Sequence, residues 1–469
     1  MRRRFQIIAA AVALAVVALG SPLGARLAYA DGILAGPTFN IPTSTDTYDQ
    51  NAILRKIMRG IDGAPSGETI RMAFFSLTVP RFADKLIAAH QRGVNVRLIQ
   101  DDHEVGPDWQ RLVAAFGGDT KKRSWALLCH RSCMSDEEPS YMHAKLYMFS
   151  RTLSTPLVVM ISSANPTFTQ ARIGWNDMYT ITRNSTIYTA SRTYFEMLTA
   201  GALEDRAGDQ SEGVPIDAYF TATSGIFKTY YFPKGGEGKD DDPVYGILSN
   251  IGCRGTATGY GSSGRTTVKV AMYQWTWHRV RLAEKLWDLD NAGCIVEVLV
   301  DAIATEQPVI DALTKPGGAY GGIKLTKTHE DTNGDGIAEH FVHNKYILVN
   351  GIYGADTSSK IVFTGSGNWS NAALHYGNEI MLRIVDNAAY TAYADQFATL
   401  NAWAKSIPPP PPPTPTPPPS ATPGPSSTTP PPTPTSPPPT PTAPPPTPTA
   451  PPPSASVPPA SPGPLPPPP

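Results

Sequence analysis

Cysteine is scarce in this chain, a basic surplus is missing, and long apolar runs are confined to one end. Of 469 residues only four are cysteines. His130 beside Cys129 and Cys133 hints at zinc, but no second close pair of ligands accompanies them. Disulfides are the expected use, Cys129 with Cys133 closing a local loop and Cys253 with Cys294 in the second half. Lysine and arginine total 39 against 40 acidic residues. Arg2, Arg3, Arg4 and Arg26 fall in a leader, so beyond it 35 basic residues (39 − 4) face 40 acidic ones, a net charge of −5. A dedicated nucleic-acid binder usually carries a basic excess; this balance argues against one, although a local basic groove fits an acidic whole.

Apolar runs are equally restricted. Arg2–Arg4 precede an apolar stretch from Ile7 to Leu19, and Ala28-Tyr29-Ala30 supplies small residues at cleavage spacing. The pattern predicts a secretory signal peptide over 1–30, and the Arg-Arg-x-Phe order also admits the twin-arginine route. No later stretch offers the 18 or so apolar residues a transmembrane helix needs, so a soluble mature form without a transmembrane segment is expected. The other end has no charge at all. From Ile407 to Pro469 lie 35 of the 49 prolines, with Thr, Ser, Ala and Gly. Such a composition cannot bury a core and predicts a disordered, extended spacer over 407–469, either a stalk at a cell wall or a passive tail. No sorting motif or terminal apolar anchor is apparent.

What remains, roughly 31–406, repeats itself. Thr69–Phe75 reads as a strand, Phe82–Gln91 as an amphipathic helix stopped by Gly93, and Val94–Gln100 as a second strand ending at Asp101. In the second half, Thr267–Tyr273, a helix over Val280–Asn291, Gly293 and Ile295–Val300 ending at Asp301 follow the same order. Gly93 and Gly293, and Asp101 and Asp301, are each 200 positions apart. Alternating strands and helices predict an α/β fold with a largely parallel sheet in each half, the halves spanning 31–205 and 206–406.

The same offset of 200 separates Met142-His143-Ala144-Lys145 from Val342-His343-Asn344-Lys345. Each His-x-Lys heads an apolar strand. Each is followed by a second apolar run and a small-residue turn, Ser162-Ser163-Ala164-Asn165 and Gly365-Ser366-Gly367-Asn368. Asn176-Asp177 and Asn378-Glu379 come next. This double pattern resembles the phospholipase D superfamily, whose signature of His-x-Lys followed by Gly/Ser-Ser-x-Asn occurs twice in a bilobal chain. Ser150 and Asn350 depart from it, standing where the full motif carries Asp, with four residues between that position and the lysine.

The resemblance implies two tandem α/β lobes related by a pseudo-twofold axis, with the active site between them. Splitting a stable phosphodiester calls for a nucleophile, a proton donor for the leaving alkoxide, and cations or amides around the phosphoryl oxygens. One half supplies one of each; facing halves supply the set. His143 is then the nucleophile, forming a phosphohistidine, and His343 the acid and base. Lys145, Lys345, Asn165, Asn368, Ser163 and Ser366 surround the phosphate. Asp177 and Glu379 accept hydrogen bonds from the imidazoles. No cofactor is implied.

The expected function is a secreted, monomeric phospholipase D, wall-associated if the tail is a stalk, acting on phospholipid at a membrane surface. An extracellular nuclease working on a nucleic-acid backbone, and a wall-associated binding protein without turnover, are the alternatives. Two features lie outside this scheme. Asp331, Asn333 and Asp335 imitate the start of a calcium loop whose twelfth position is Val342 rather than Glu, so a polar turn is the plainer reading. Trp275 and Trp277 follow a core strand and are read as packing residues before channel residues.

Overall fold

Local chemistry accounts for the regular elements. The computed structural model describes residues 32–135, 137–207, 218–236, 238–318 and 320–408. The expected leader, most of the junction between the halves and the tail lie outside them. The first half contributes β1 (Gly36–Phe39), β2 (Thr69–Phe74), β3 (Asn95–Asp101), β4 (Trp125–Cys129), β5 (Leu146–Thr152), β6 (Thr155–Ser162), β7 (Gly174–Trp175) and β8 (Asp177–Ile181). The second contributes β9 (Phe220–Ser224), β10 (Phe227–Tyr231), β11 (Ile251–Gly252), β12 (Thr267–Met272), β13 (Ile295–Asp301), β14 (Lys324–Thr328), β15 (Phe341–Val342), β16 (Lys345–Tyr353), β17 (Asp356–Gly365) and β18 (Ile380–Val385).

The first sheet has the order β1-β8-β6-β5-β2-β3-β4, the second β14-β13-β12-β16-β17-β18-β10-β9, with β11 on β16. Within these two sheets, only β2-β3-β4 and β12-β13-β14 run parallel. Their crossovers are helices, Pro80–Gln91 and Pro107–Phe116 in one half, Val280–Ala292 and Gln307–Leu313 in the other. Gly93 and Gly293 turn the chain out of the first crossover helix of each half at φ 96° and 113°, a conformation glycine adopts without steric cost. The remaining pairings within the two sheets are antiparallel, which corrects the expectation of largely parallel sheets. Leu153 and Ser154 alone join β5 to β6, and a connection that short cannot carry a parallel crossover.

Each sheet is apolar on both faces because both are covered. One cluster around Ile57, Phe82 and Leu86 packs on the outer face of the first sheet, and one around Leu282, Leu286 and Val309 on that of the second. The third lies between the sheets. It joins Met148 and Ile161 of one half to Val362, Ile380 and Leu382 of the other, with residues of the long helices Ser185–Ala207 and Asn387–Ser406. The halves therefore share a core.

Two short main-chain pairings also tie them. β15 pairs with β7, and Met142 bridges Asn378. Both cysteine pairs are disulfide-bonded, Cys129 with Cys133 and Cys253 with Cys294. Among the described residues, no helix is long and apolar enough to cross a membrane.

Candidate active site between the lobes

Residues His143–Lys145 and His343–Lys345 enter β5 and β16 at matching places, and the two pairings just described bring them together. His143 N–H donates to Asn378 O at 3.1 Å, and His343 N–H to Trp175 O at 2.9 Å. Each histidine is thus held at its backbone by the opposite lobe. The side chains repeat the exchange. His143 Nδ1 lies 2.7 Å from Glu379 Oε1, and His343 Nδ1 lies 2.9 Å from Asn176 Oδ1.

The second contact corrects the sequence reading, which made Asp177 one of the two imidazole partners. Ser366 Oγ donates to Glu379, and Ser163 Oγ donates to Asn176 Oδ1; both pairs are 13 residues apart. Asn176, not Asp177, is therefore the counterpart of Glu379. That spacing was available in the sequence. The charge match between Asp and Glu obscured it. Asp177 is fully buried one residue further on, where its side chain points the other way along β8. It accepts from Asn344 Nδ2 at 2.8 Å, Tyr393 Oη at 2.9 Å and Thr364 Oγ1. It therefore braces the residue between His343 and Lys345. Burial raises its carboxyl above the ordinary value despite these three donors.

The Asn176 amide leaves no choice of orientation. Its Nδ2 donates to Gln170 O and Gly174 O, so Oδ1 faces the imidazole and requires a proton on His343 Nδ1. Glu379 imposes the same tautomer on His143. In both rings Nε2 is left for chemistry. Lys145 and Lys345 donate to the carbonyl oxygens of His143 and His343, and among the described residues neither Nζ has a carboxylate within salt-bridge reach. The rings stand against Phe75 and Tyr273, at centroid distances of 5.7 and 4.6 Å.

Burial dominates the electrostatics. It lowers the His143 imidazole, with Glu379 opposing and Lys145 and Lys345 reinforcing the effect. His343 is driven well below its ordinary value by burial, then by Lys345, Lys145 and His143. Lys145 falls to about 7 through burial, and Lys345 is lowered strongly by burial and by Lys145. Burial alone would lift Glu379, but His143, Lys145 and Ser366 hold its carboxyl below the usual range. The four basic groups act on one another and behave as one unit. Such a cluster is short of negative charge and suited to receive an anion.

The other candidates divide. Asn165 Oδ1 accepts from Phe75 N–H at 3.1 Å, and Asn368 Nδ2 donates to Gln274 Oε1 at 3.1 Å, which sets both turn amides beside the histidine walls. Ser163 and Ser366 are fully buried and spend their hydroxyls on Asn176 and Glu379. They orient the groups that hold the imidazoles, where the sequence reading placed them on the phosphate. Ser150 receives Thr69 N–H, and Asn350 receives Gly261 N–H, at the far ends of their strands.

The loop with Asp331, Asn333 and Asp335 closes on itself. Asp331 takes the N–H groups of Gly334 and Gly336, Asn333 takes that of Asp335, and Asp335 takes that of Ile337. Asn333 and Asp335 are exposed and Asp331 is half-buried, and the three show the bonding of a polar turn. Trp275 is buried against Trp369 as expected, while Trp277 is 54% exposed and stacks on His278. Sequence reasoning also missed Asp101, which accepts from Met142 N–H at 2.7 Å and from His103, fixing the approach to His143. Its position at the end of β3, matched by Asp301, was the available signal. A cleft of about 580 Å³ lined by both lobes reaches His143 and Glu379.

Two mixed sheets with mutually held His-Lys pairs define a two-lobed phosphoryl-transfer site of the phospholipase D type. The chain belongs to the family described as cardiolipin synthase, PLD-like domain, whose profile matches residues 57–199 and 262–401, once in each lobe. No curated protein matches the sequence significantly. Among solved structures, it resembles phosphatidylserine synthase from Haemophilus influenzae, with 10% identity and a TM-score of 0.49 over 79% of this chain and 87% of that one. It also resembles polyphosphate kinase from Porphyromonas gingivalis, with 12% identity and a TM-score of 0.46, covering 75% of this chain and 48% of the kinase. The chain thus spans about half the length of that kinase. The phospholipase D family member Nuc from Salmonella typhimurium aligns with 31% of this chain and 86% of its own, at 18% identity and a TM-score of 0.25.

Proposed function

We propose that the protein is an exported phosphodiesterase of the phospholipase D type, hydrolysing phospholipids to phosphatidate and the headgroup alcohol. The observation that carries this reading is the reciprocal hold on the two imidazoles, each fixed at Nδ1 by the other lobe with Nε2 left for reaction. His143 Nε2 attacks phosphorus, and a P–N bond forms as the P–O bond to the headgroup breaks. The departing oxygen takes its proton from His343 Nε2. Water then attacks phosphorus, giving a proton to His343 while the P–N bond breaks and phosphatidate leaves.

The unequal partners favour this division of labour. Glu379 sits beside the ring that becomes a cationic phosphoimidazole, so its negative charge stabilises the intermediate. Asn176 offers His343 a neutral acceptor, which keeps that imidazolium a strong acid. The substrate phosphate offsets Lys145 and Lys345 and so allows His343 to take up its proton. The apolar leader and its small-residue end support export.

A phosphatidyl ester of p-nitrophenol tests the roles, because that leaving group needs no proton donor. The His343→Ala variant is expected to release a stoichiometric burst of p-nitrophenol and retain a phosphoenzyme; His143→Ala gives neither. Bursts from both variants, or from neither, would remove the assignment. Choline release from phosphatidylcholine vesicles and plasmid nicking, each in EDTA, separate the lipase from a nuclease.

A further inference from the structure

Beyond its expected leader the chain is acidic, yet one hollow on the outer side of the first lobe is basic. It is bounded by the segment leading into β1 and by the helices Ala52–Asp62 and Pro80–Gln91, and holds about 740 Å³. Its charged residues are Arg55, Lys56, Arg59, Arg81 and Lys85 against one acid, Asp62, which Lys85 engages. Uncharged groups hold the other cations. Arg55 donates to Tyr48 O at 2.8 Å and lies over the Tyr48 ring, Lys56 donates to Thr38 Oγ1 at 3.0 Å, and Arg59 donates to Gly32 O at 3.4 Å. Arg81 is exposed and has no protein partner among the described residues. Like charges gathered without carboxylates repel one another, and an incoming anion relieves them.

We propose that this groove docks the protein on a bilayer of anionic phospholipid, its cations meeting lipid phosphates and its apolar rim entering the headgroup layer. The rim is where the choice of partner is made. Leu34 is 69% exposed and Tyr48 56% exposed at the edge of the cations. A second hollow of about 700 Å³ shares Tyr48, Arg55, Met58 and Arg81 with the first and continues to Phe168, 41% exposed. Apolar side chains set in water beside positive charge match an interface whose outer layer is anionic and whose interior is acyl chain. A nucleic-acid groove would pair its cations with stacking platforms, and Leu34 offers a base nothing to stack on. Phe168 N–H donates to Thr78 Oγ1 at 3.2 Å, three residues past Asn165, so the groove ends beside the first active-site turn. A lipid partner follows from the phospholipase reading, while docking itself needs no turnover.

Sedimentation of the His143→Ala protein, which consumes no lipid, with vesicles of phosphatidylglycerol or of phosphatidylcholine tests the surface. Phosphatidylglycerol is expected to bind about a hundredfold more tightly in ~0.1 M salt, and to lose that advantage near 1 M, where the screening length falls to about 3 Å. Arg55→Gln with Arg81→Gln is expected to weaken binding to phosphatidylglycerol by about 25-fold, roughly fivefold for each charge. Arg81→Glu alone, at a side chain with no bond to lose, is expected to weaken it by at least about fivefold. In the enzyme with His143 intact, these substitutions are expected to leave turnover of bis(p-nitrophenyl) phosphate unchanged and to lower vesicle hydrolysis in step with binding. Equal binding of the two lipids, binding insensitive to salt, or variants that bind like the parent would overturn the docking surface. Release from the vesicles by inorganic phosphate or by single-stranded DNA at matched phosphate concentration would mark a groove for soluble anions or nucleic acid, and would overturn it as well. Absence of turnover on every substrate, with the binding pattern intact, counts against the phosphodiesterase reading alone.

Discussion

Asn176 and Glu379 hold the same place in the two lobes and differ by one charge, and that difference separates two otherwise matched histidines. An imidazole bonded to an amide gains less from protonation than one bonded to a carboxylate. Replacing Asn176 with Asp is therefore expected to raise the pKa of His343. With His343 as the proposed acid, activity is expected to survive to higher pH, the alkaline limb of the kcat/KM profile moving up by about one unit. The rate at the optimum falls, since a weaker acid serves the leaving group less well. A pH profile superimposable on that of the wild type would show that Asn176 merely packs.

At the scale of elements, the active site depends on segments far from it. Gly201 in the helix Ser185–Ala207 touches the disulfide loop so closely that a Cβ there would stand 1.6 Å from Cys133 O. The same Cys133 donates its N–H to Asn378 Oδ1 at 2.7 Å, next to Glu379. Gly201→Ala must push helix and loop apart, at a cost of about 1–3 kcal/mol. The expected result is a lower Tm together with a lower kcat, because the disturbance reaches the residue beside the His143 partner. A drop in Tm with kcat unchanged would break that link. The second disulfide, Cys253–Cys294, spans 41 positions and pins the end of β11 to the C-terminal end of the helix Val280–Ala292. Replacing both cysteines with alanine is expected to cost roughly 4 kcal/mol by the loop-entropy estimate, read as a shifted urea midpoint.

For the whole molecule, the shared core concentrates buried basic groups between two lobes, and pH then acts on folding. Lys145 has a pKa of about 7 in the folded protein against 10.5 when exposed. Between those values the unfolded chain binds a proton that the native one lacks, so stability rises with pH across that window. Anion binding runs the other way, since a phosphate at the site restores the proton to Lys145. Tungstate or inorganic phosphate is therefore expected to raise the Tm strongly near pH 6 and weakly near pH 9. An anion effect independent of pH would separate the binding site from the buried lysines.

Much of the architecture is written locally. Apolar periodicity marks β2, β3, β12 and β13, Gly93 and Gly293 mark where helices turn, and the doubled His-x-Lys marks two equivalent strands. These signals rest on a few neighbouring residues, so a single chain displays them. The direction of the later strands was less legible, because it depends on how short the connections become in three dimensions. Least legible was the pairing at the centre. His143 meets a residue 236 positions away, and His343 one 167 positions away. A hydrogen bond across such a distance leaves no local periodicity, and Asp177 offered the expected charge at nearly the expected place. The sequence by itself determined which side chains the chemistry would draw on. Only the folded chain decided which of them touch, because partnership between the lobes comes from packing one sheet against the other.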